Sequence, residues 1–97
     1  MFRHVVLFKW NDQATEERLR RMEEELRALP GVIEQIRTYE MGTDVGVNRG
    51  NYDFALVAGF DSQEDYLVYR DHPRHRAVID EHITPILLNR VAVQFVS

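Results

Sequence analysis

The chain has 97 residues, enough for one small domain with a single core. Its 12 basic and 16 acidic side chains give a net charge of -4, so no basic stripe is available to neutralise nucleic-acid phosphates. There is no cysteine, which excludes disulfides, thiolate nucleophiles and thiolate metal ligands, and no apolar run approaches the ~20 residues of a membrane span.

Phe2 to Trp10 alternates and is rich in β-branched and aromatic residues, which predicts a strand. One face carries Phe2, His4, Val6, Phe8 and Trp10; the other carries Arg3, Val5, Leu7 and Lys9. Charged residues interrupt this segment early and it has no cleavage site, so it is not read as a signal peptide, and a cytoplasmic location is expected. Thr15, Glu16 and Glu17 supply a hydroxyl cap and first-turn acids for a helix. Leu19, Met22, Leu26 and Leu29 form its buried stripe, and its interleaved Arg and Glu residues form a solvated face. Pro30-Gly31 stops it. Val32 to Met41 reads as a second strand, Gly42 to Gly50 as a loop, and Tyr52 to Phe60 as a third strand.

Ser62, with Asp65 three residues on, resembles a capping box and opens a helix to about Asp71. Pro73 suits the first position of the next helix, which runs to about Ile83 before Pro85. Within it His75, Val78, Ile79, His82, Ile83 and Ile86 share one apolar stripe, while Arg74, Arg76, Asp80 and Glu81 face outward. Arg90 to Val96 is the last strand. The βαββαβ order is that of an α+β, ferredoxin-like fold, an antiparallel four-stranded sheet with helices on one face, here spanning residues 1–97 as a single domain. The strands are apolar on both faces, so the face away from the helices needs a cover. A second copy of the chain is the expected one, seated on Val5, Leu7, Ala55, Val57, Ala92 and Val96.

Candidate chemistry gathers around Tyr66-Leu67-Val68-Tyr69-Arg70-Asp71-His72-Pro73-Arg74-His75. Neutral imidazole is a competent base near pH 7. His75 and Tyr69 are therefore the candidate catalytic pair, with His4, Val6, Phe8, Phe54, Tyr66 and Ile79 as the wall of a ligand pocket. The residues by themselves favour hydrogen-bonded core histidines in a non-catalytic ligand-binding protein, with the enzyme as the alternative. His72 reads as a helix cap or turn residue and His82 as a core residue. His4 and Asp71 could join His72 and His75, but zinc needs three or four ligands converging and Pro73 points the two histidines apart, so no metal is expected; no cofactor is expected either. No G-x-S-x-G element or phosphate-binding glycine loop is present.

These segments resemble a known family. His4-Val5-Val6-Leu7-Phe8-Lys9, Tyr52-Asp53-Phe54-Ala55-Leu56-Val57, Phe60-Asp61-Ser62, His72-Pro73-Arg74-His75 and Arg90-Val91-Ala92-Val93 are similar to the stress-responsive α/β-barrel (Dabb) domain of the dimeric α+β barrel superfamily. The resemblance implies a homodimer whose sheets close into a barrel. It also implies mixed functions: stress or antifungal proteins without assigned chemistry, and a metal- and cofactor-free polyketide cyclase branch that closes a ring by aldol condensation. Similar dimeric barrels house cofactor-free monooxygenases. By motif, the base of the cyclase branch falls on His75, its assisting tyrosine on Tyr69 and a pocket histidine on His4. Phe54 stands where that branch has another histidine, and Leu26 near where it has another tyrosine. The implied ligand is a small hydrophobic, aromatic or polyketide-like molecule held in a more apolar pocket.

Overall fold

The computed structural model describes residues 1–97. Strand β1 spans Phe2–Trp10, helix α1 Glu16–Arg27, strand β2 Thr38–Thr43, strand β3 Phe54–Phe60, helix α2 Gln63–Asp71, helix α3 Pro73–Val78 and strand β4 Leu87–Val96. The strands form one antiparallel sheet in the order β2-β3-β1-β4. This is the ferredoxin-like α+β arrangement, with the helices over one sheet face.

The local signals act as their chemistry dictates. The Thr15 hydroxyl accepts from the Arg18 amide at 3.2 Å and starts α1. Met22, Leu26 and Leu29 are almost fully buried. The opposite face of α1 carries ion pairs such as Arg27–Glu23 at 2.8 Å. Ser62 caps α2 by accepting from the Asp65 amide at 3.1 Å. The core lies between this helix layer and Val6, Phe8, Phe54, Leu56, Ala58 and Phe60 of the central strands.

Three features depart from the sequence expectation. The second strand does not begin at Val32. A turn of 3-10 helix over Leu29–Gly31 runs into further turns, and β2 starts at Thr38. Ile33 and Ile36 are both buried, and apolar residues three apart fit a turn closing on the core, whereas a strand sends alternate residues to one face. The helix after Pro73 is also not uniform. After Val78 it widens into a π-helical turn over Ile79–Ile83, then tightens over Thr84–Ile86. Val78, just before this turn, is buried and Ile79, which opens it, is half-buried; the wider turn then shifts the helical phase, so Ile83 and Ile86 are buried while His82 is only half-buried.

The third departure concerns the uncovered sheet face. Register sets Ala92 opposite Val6 and Val96 opposite Phe2, so both stand on the helix side. The residues that join Val5, Leu7, Ala55 and Val57 on the far face are Val91, Val93 and Phe95, because Val5 pairs with Val93 and Leu7 with Val91. Alternation within β4 defines two faces, but only pairing with β1 says which is which. The far face is apolar and open: Val93 is 65% exposed and Phe95 46%.

Candidate active site

A cavity of about 380 Å³ lies between the helix side of the sheet and helices α2 and α3. Period-two alternation aims His4, Val6 and Phe8 of β1 into it, beside Leu56 of β3. Helix α2 contributes Tyr66 and Tyr69, and the segment after Pro73 contributes His75 and Ile79. His75, Tyr69, His4, Val6, Phe8, Tyr66 and Ile79 therefore meet at one cavity. Phe54 is not on its wall; it is buried against Phe8 and Trp10, with ring centroids 6.1 and 6.0 Å away. Leu26 does line the cavity, so the position that the family resemblance aligns with a tyrosine is apolar.

The turn at Pro73 sets the placement of His75. His72 ends α2 and caps α3, its Nδ1 accepting from the Arg74 amide at 3.1 Å. This cap commits His72 to the backbone and turns the chain so that His75 points inward. The His75 ring packs against Tyr69 with the planes tilted by 33° and the centroids 4.0 Å apart. Its Nδ1 lies 3.0 Å from the Arg70 carbonyl oxygen. A carbonyl only accepts, so Nδ1 carries the proton and Nε2 of the neutral ring keeps its lone pair. No protein group bonds that Nε2, and every fully buried side-chain nitrogen or oxygen has a partner, so Nε2 is open to solvent-sized molecules.

His4 is wired in the opposite sense. The Gln94 amide nitrogen donates to His4 Nδ1 at 3.0 Å, which puts the proton of the neutral ring on Nε2. Burial pushes the His4 imidazole down to about 4, with the Arg90 guanidinium and the His75 ring adding to the effect. Burial also lowers His75, helped by the Arg76, Arg90 and His72 charges and opposed by the hydrogen bond to Arg70. Both rings are therefore neutral at pH 7, one with a free acceptor nitrogen and one with a free N–H.

Tyr69 is fully buried, and its hydroxyl shares a 2.9 Å hydrogen bond with Tyr39 of β2. Burial pushes Tyr39 up to about 12 and Tyr69 well above its ordinary value, so both remain phenols. Tyr39 is a partner that sequence reasoning missed. Its signal is its place on the helix side of β2, opposite Ala58, which becomes legible only with the register. Arg70, Arg76 and Arg90 also line the cavity, although the sequence assigns none of them a pocket role and its helical spacing sets Arg76 on the outward face. His82 sits apart, 3.9 Å from Glu81. No three histidine or acidic side chains converge as metal ligands would.

Residues 2–97 match the family described as the stress responsive A/B barrel domain, Dabb. The chain belongs to the Dabb family. A dimeric ferredoxin-like protein of unknown function from Thermobifida fusca is 43% identical, with a TM-score of 0.91 over 99% of this Dabb chain and 90% of that one. A dimeric protein of unknown function from Bacteroides fragilis is 32% identical, with a TM-score of 0.80 over 97% and 93% of the two chains. A hydroxynitrile lyase from Passiflora edulis superposes with a TM-score of 0.87 over 99% and 92%, but at 19% identity it shares the fold alone. No helix of this Dabb protein is long and apolar enough to cross a membrane.

Proposed function

We propose that this Dabb domain binds a small, flat, largely apolar carbonyl compound in the cavity and that His75 removes a proton from a carbon beside its carbonyl group. The observation that carries this reading is the bond from His75 Nδ1 to the Arg70 carbonyl, which leaves Nε2 as a fixed, accessible base. Burial makes it a weaker base than free imidazole but keeps it unprotonated at pH 7, and it needs no metal to take a proton acidified by an adjacent carbonyl. As the proton moves to Nε2, the carbon–hydrogen electron pair becomes an enolate. His4, protonated on Nε2, supplies a neutral donor for the enolate oxygen. Tyr69 supplies a second if Tyr39 donates to it, because its own hydroxyl hydrogen is then free. In a substrate with a second carbonyl, the enolate carbon attacks that carbonyl and closes a ring. The imidazolium then returns its proton to the new alkoxide. This is cyclase-like, aldol-type chemistry without a cofactor, and a hydroxynitrile lyase among the fold neighbours agrees with an enzyme on this scaffold.

The same reading takes the protein to be a homodimer. The open apolar face of Val5, Leu7, Ala55, Val57, Val91, Val93 and Phe95 needs a cover, and two relatives above 30% identity are dimeric.

A second reading is a ligand-binding protein without chemistry. It is favoured by the engagement of the Tyr69 hydroxyl with Tyr39, which has the form of a structural bond. Proton exchange separates the two. The purified protein is incubated in deuterium oxide with a panel of aryl methyl ketones and aryl β-diketones, and deuterium incorporation beside the carbonyl is followed by NMR. The enzyme reading expects acceleration for at least one compound and a loss of about 100-fold or more in His75→Ala, with the circular dichroism spectrum unchanged. Binding without exchange in the wild type selects the second reading.

A further inference from the structure

The cavity carries a charge pattern that the apolar reading does not use. In a chain of net charge -4, its wall has three arginines and two histidines and not one aspartate or glutamate. Arg70 is occupied, its guanidinium paired with Asp71 at 2.9 Å. Arg76 and Arg90 have no carboxylate partner, and unlike the other arginines without one, Arg3, Arg18, Arg49 and Arg74, they line the cavity. These two residues come from opposite walls. Arg76 follows His75 on α3, and Arg90 stands on β4 opposite Phe8, on the helix side of the sheet.

We infer that Arg76 and Arg90 clamp an oxyanion on the ligand, a carboxylate or phosphate group carried by an otherwise apolar body. An unpaired guanidinium has five donors in a fixed fork that matches such a group in bidentate fashion. An anion seated between two such groups is attracted by both. The cavity is apolar inside, with Val6, Phe8 and Leu56, and cationic where the exposed arginines meet solvent, so it sorts a molecule with one charged end. The lowering of both histidines by Arg90 agrees with a guanidinium near the reactive end of the cavity.

This assignment rests on the reading of the cavity as a ligand site, but not on the chemistry of His75. It adds a condition on the substrate: the carbonyl compound is an acid or a phosphate ester at pH 7, anchored by its anion while its carbonyl reaches His75.

The test is a binding series measured by calorimetry and by NMR shifts of the histidine ring protons. The probes are 2-naphthoate, 2-naphthyl phosphate and the neutral 2-naphthamide, which share one ring system. The wild type should bind at least one of the two anions about tenfold or more tightly than the amide, and added salt should shrink that preference. Preference for naphthoate or for naphthyl phosphate tells which oxyanion the clamp fits. In the Arg76→Gln, Arg90→Gln double variant the anion should fall to the level of the amide, while the affinity for the amide stays within about twofold. Retention of amide binding shows that the fold and cavity survive. Equal binding of amide and anions by the wild type overturns the oxyanion assignment alone, as does a preference that survives the double variant. Failure of all three probes to bind overturns it together with the ligand-site reading. The exchange experiment on His75→Ala leaves this result untouched.

Discussion

His75 Nδ1 lies 3.0 Å from the carbonyl oxygen of Arg70, five residues earlier and across the Pro73 turn. The bond exists because the turn ends α2 at Asp71 and leaves carbonyls without helical partners. One such carbonyl fixes the imidazole tautomer. The same turn that stops a helix therefore sets which nitrogen of His75 is basic.

The tautomers of the two cavity histidines should be opposite. Two-bond nitrogen–proton NMR spectra at pH 7.5 should show His75 protonated on Nδ1 and His4 on Nε2. The Gln94→Leu variant should release His4 into a tautomer mixture without altering His75. A His75 ring protonated on Nε2 would contradict the base assignment.

Stability should fall with acid in a defined window. Burial holds His4 at about 4 and lowers His75, against an ordinary value of 6.5 in the unfolded chain. Between those values the unfolded state takes up protons that the native state refuses, so stability is lost as pH drops below about 6.5 and the His4 share levels off near 4. Urea midpoints measured from pH 7.5 to 4.5 should decline, and His4→Gln should flatten the decline. An equal slope in the variant would remove His4 as a cause.

Tyr39 and Tyr69 should prove coupled. Removing either hydroxyl leaves the other without its partner in a buried setting, so Tyr39→Phe and Tyr69→Phe should each cost about 1–3 kcal/mol. The double variant should cost less than the sum, because no orphaned hydroxyl remains. Denaturant unfolding of the four proteins closes the cycle. If the Tyr69 hydroxyl also serves the enolate, Tyr69→Phe should slow exchange more than Tyr39→Phe does.

Val57→Asp tests the far sheet face. A carboxylate there, in the middle of an apolar face, should break the dimer or prevent folding, since the partner would have to bury an unpaired charge. Light scattering should report a dimer for the wild type. The milder Val93→Thr, on the more exposed edge strand, should weaken dimerisation while keeping the fold. A stable monomeric wild type would count against the pairing.

Exhaustive dialysis against a chelator should leave the melting temperature unchanged. The histidines of the Pro73 turn are committed to backbone groups, His72 to the Arg74 amide and His75 to the Arg70 carbonyl. A fall reversed by zinc would show that they bind metal instead.

Much of this protein was legible along the chain. Alternation placed His4, Val6 and Phe8 on one strand face; Thr15 and Ser62 marked helix starts; and Pro73 marked a turn that His72 caps. These are signals between neighbours, and local sterics and hydrogen bonding decide them. The chain left open the questions that join distant segments. Alternation within β4 could not say whether Ala92 or Val93 faced the helices, because a one-residue slip exchanges the faces. Helical spacing could not foresee the π-helical turn at Ile79–Ile83, which forms where this segment packs against α1. For the same reason Tyr39, Gln94 and Arg90 carry no mark of the site in sequence. Each reaches it through strand register, and register is fixed only when the sheet assembles and its apolar residues find the core.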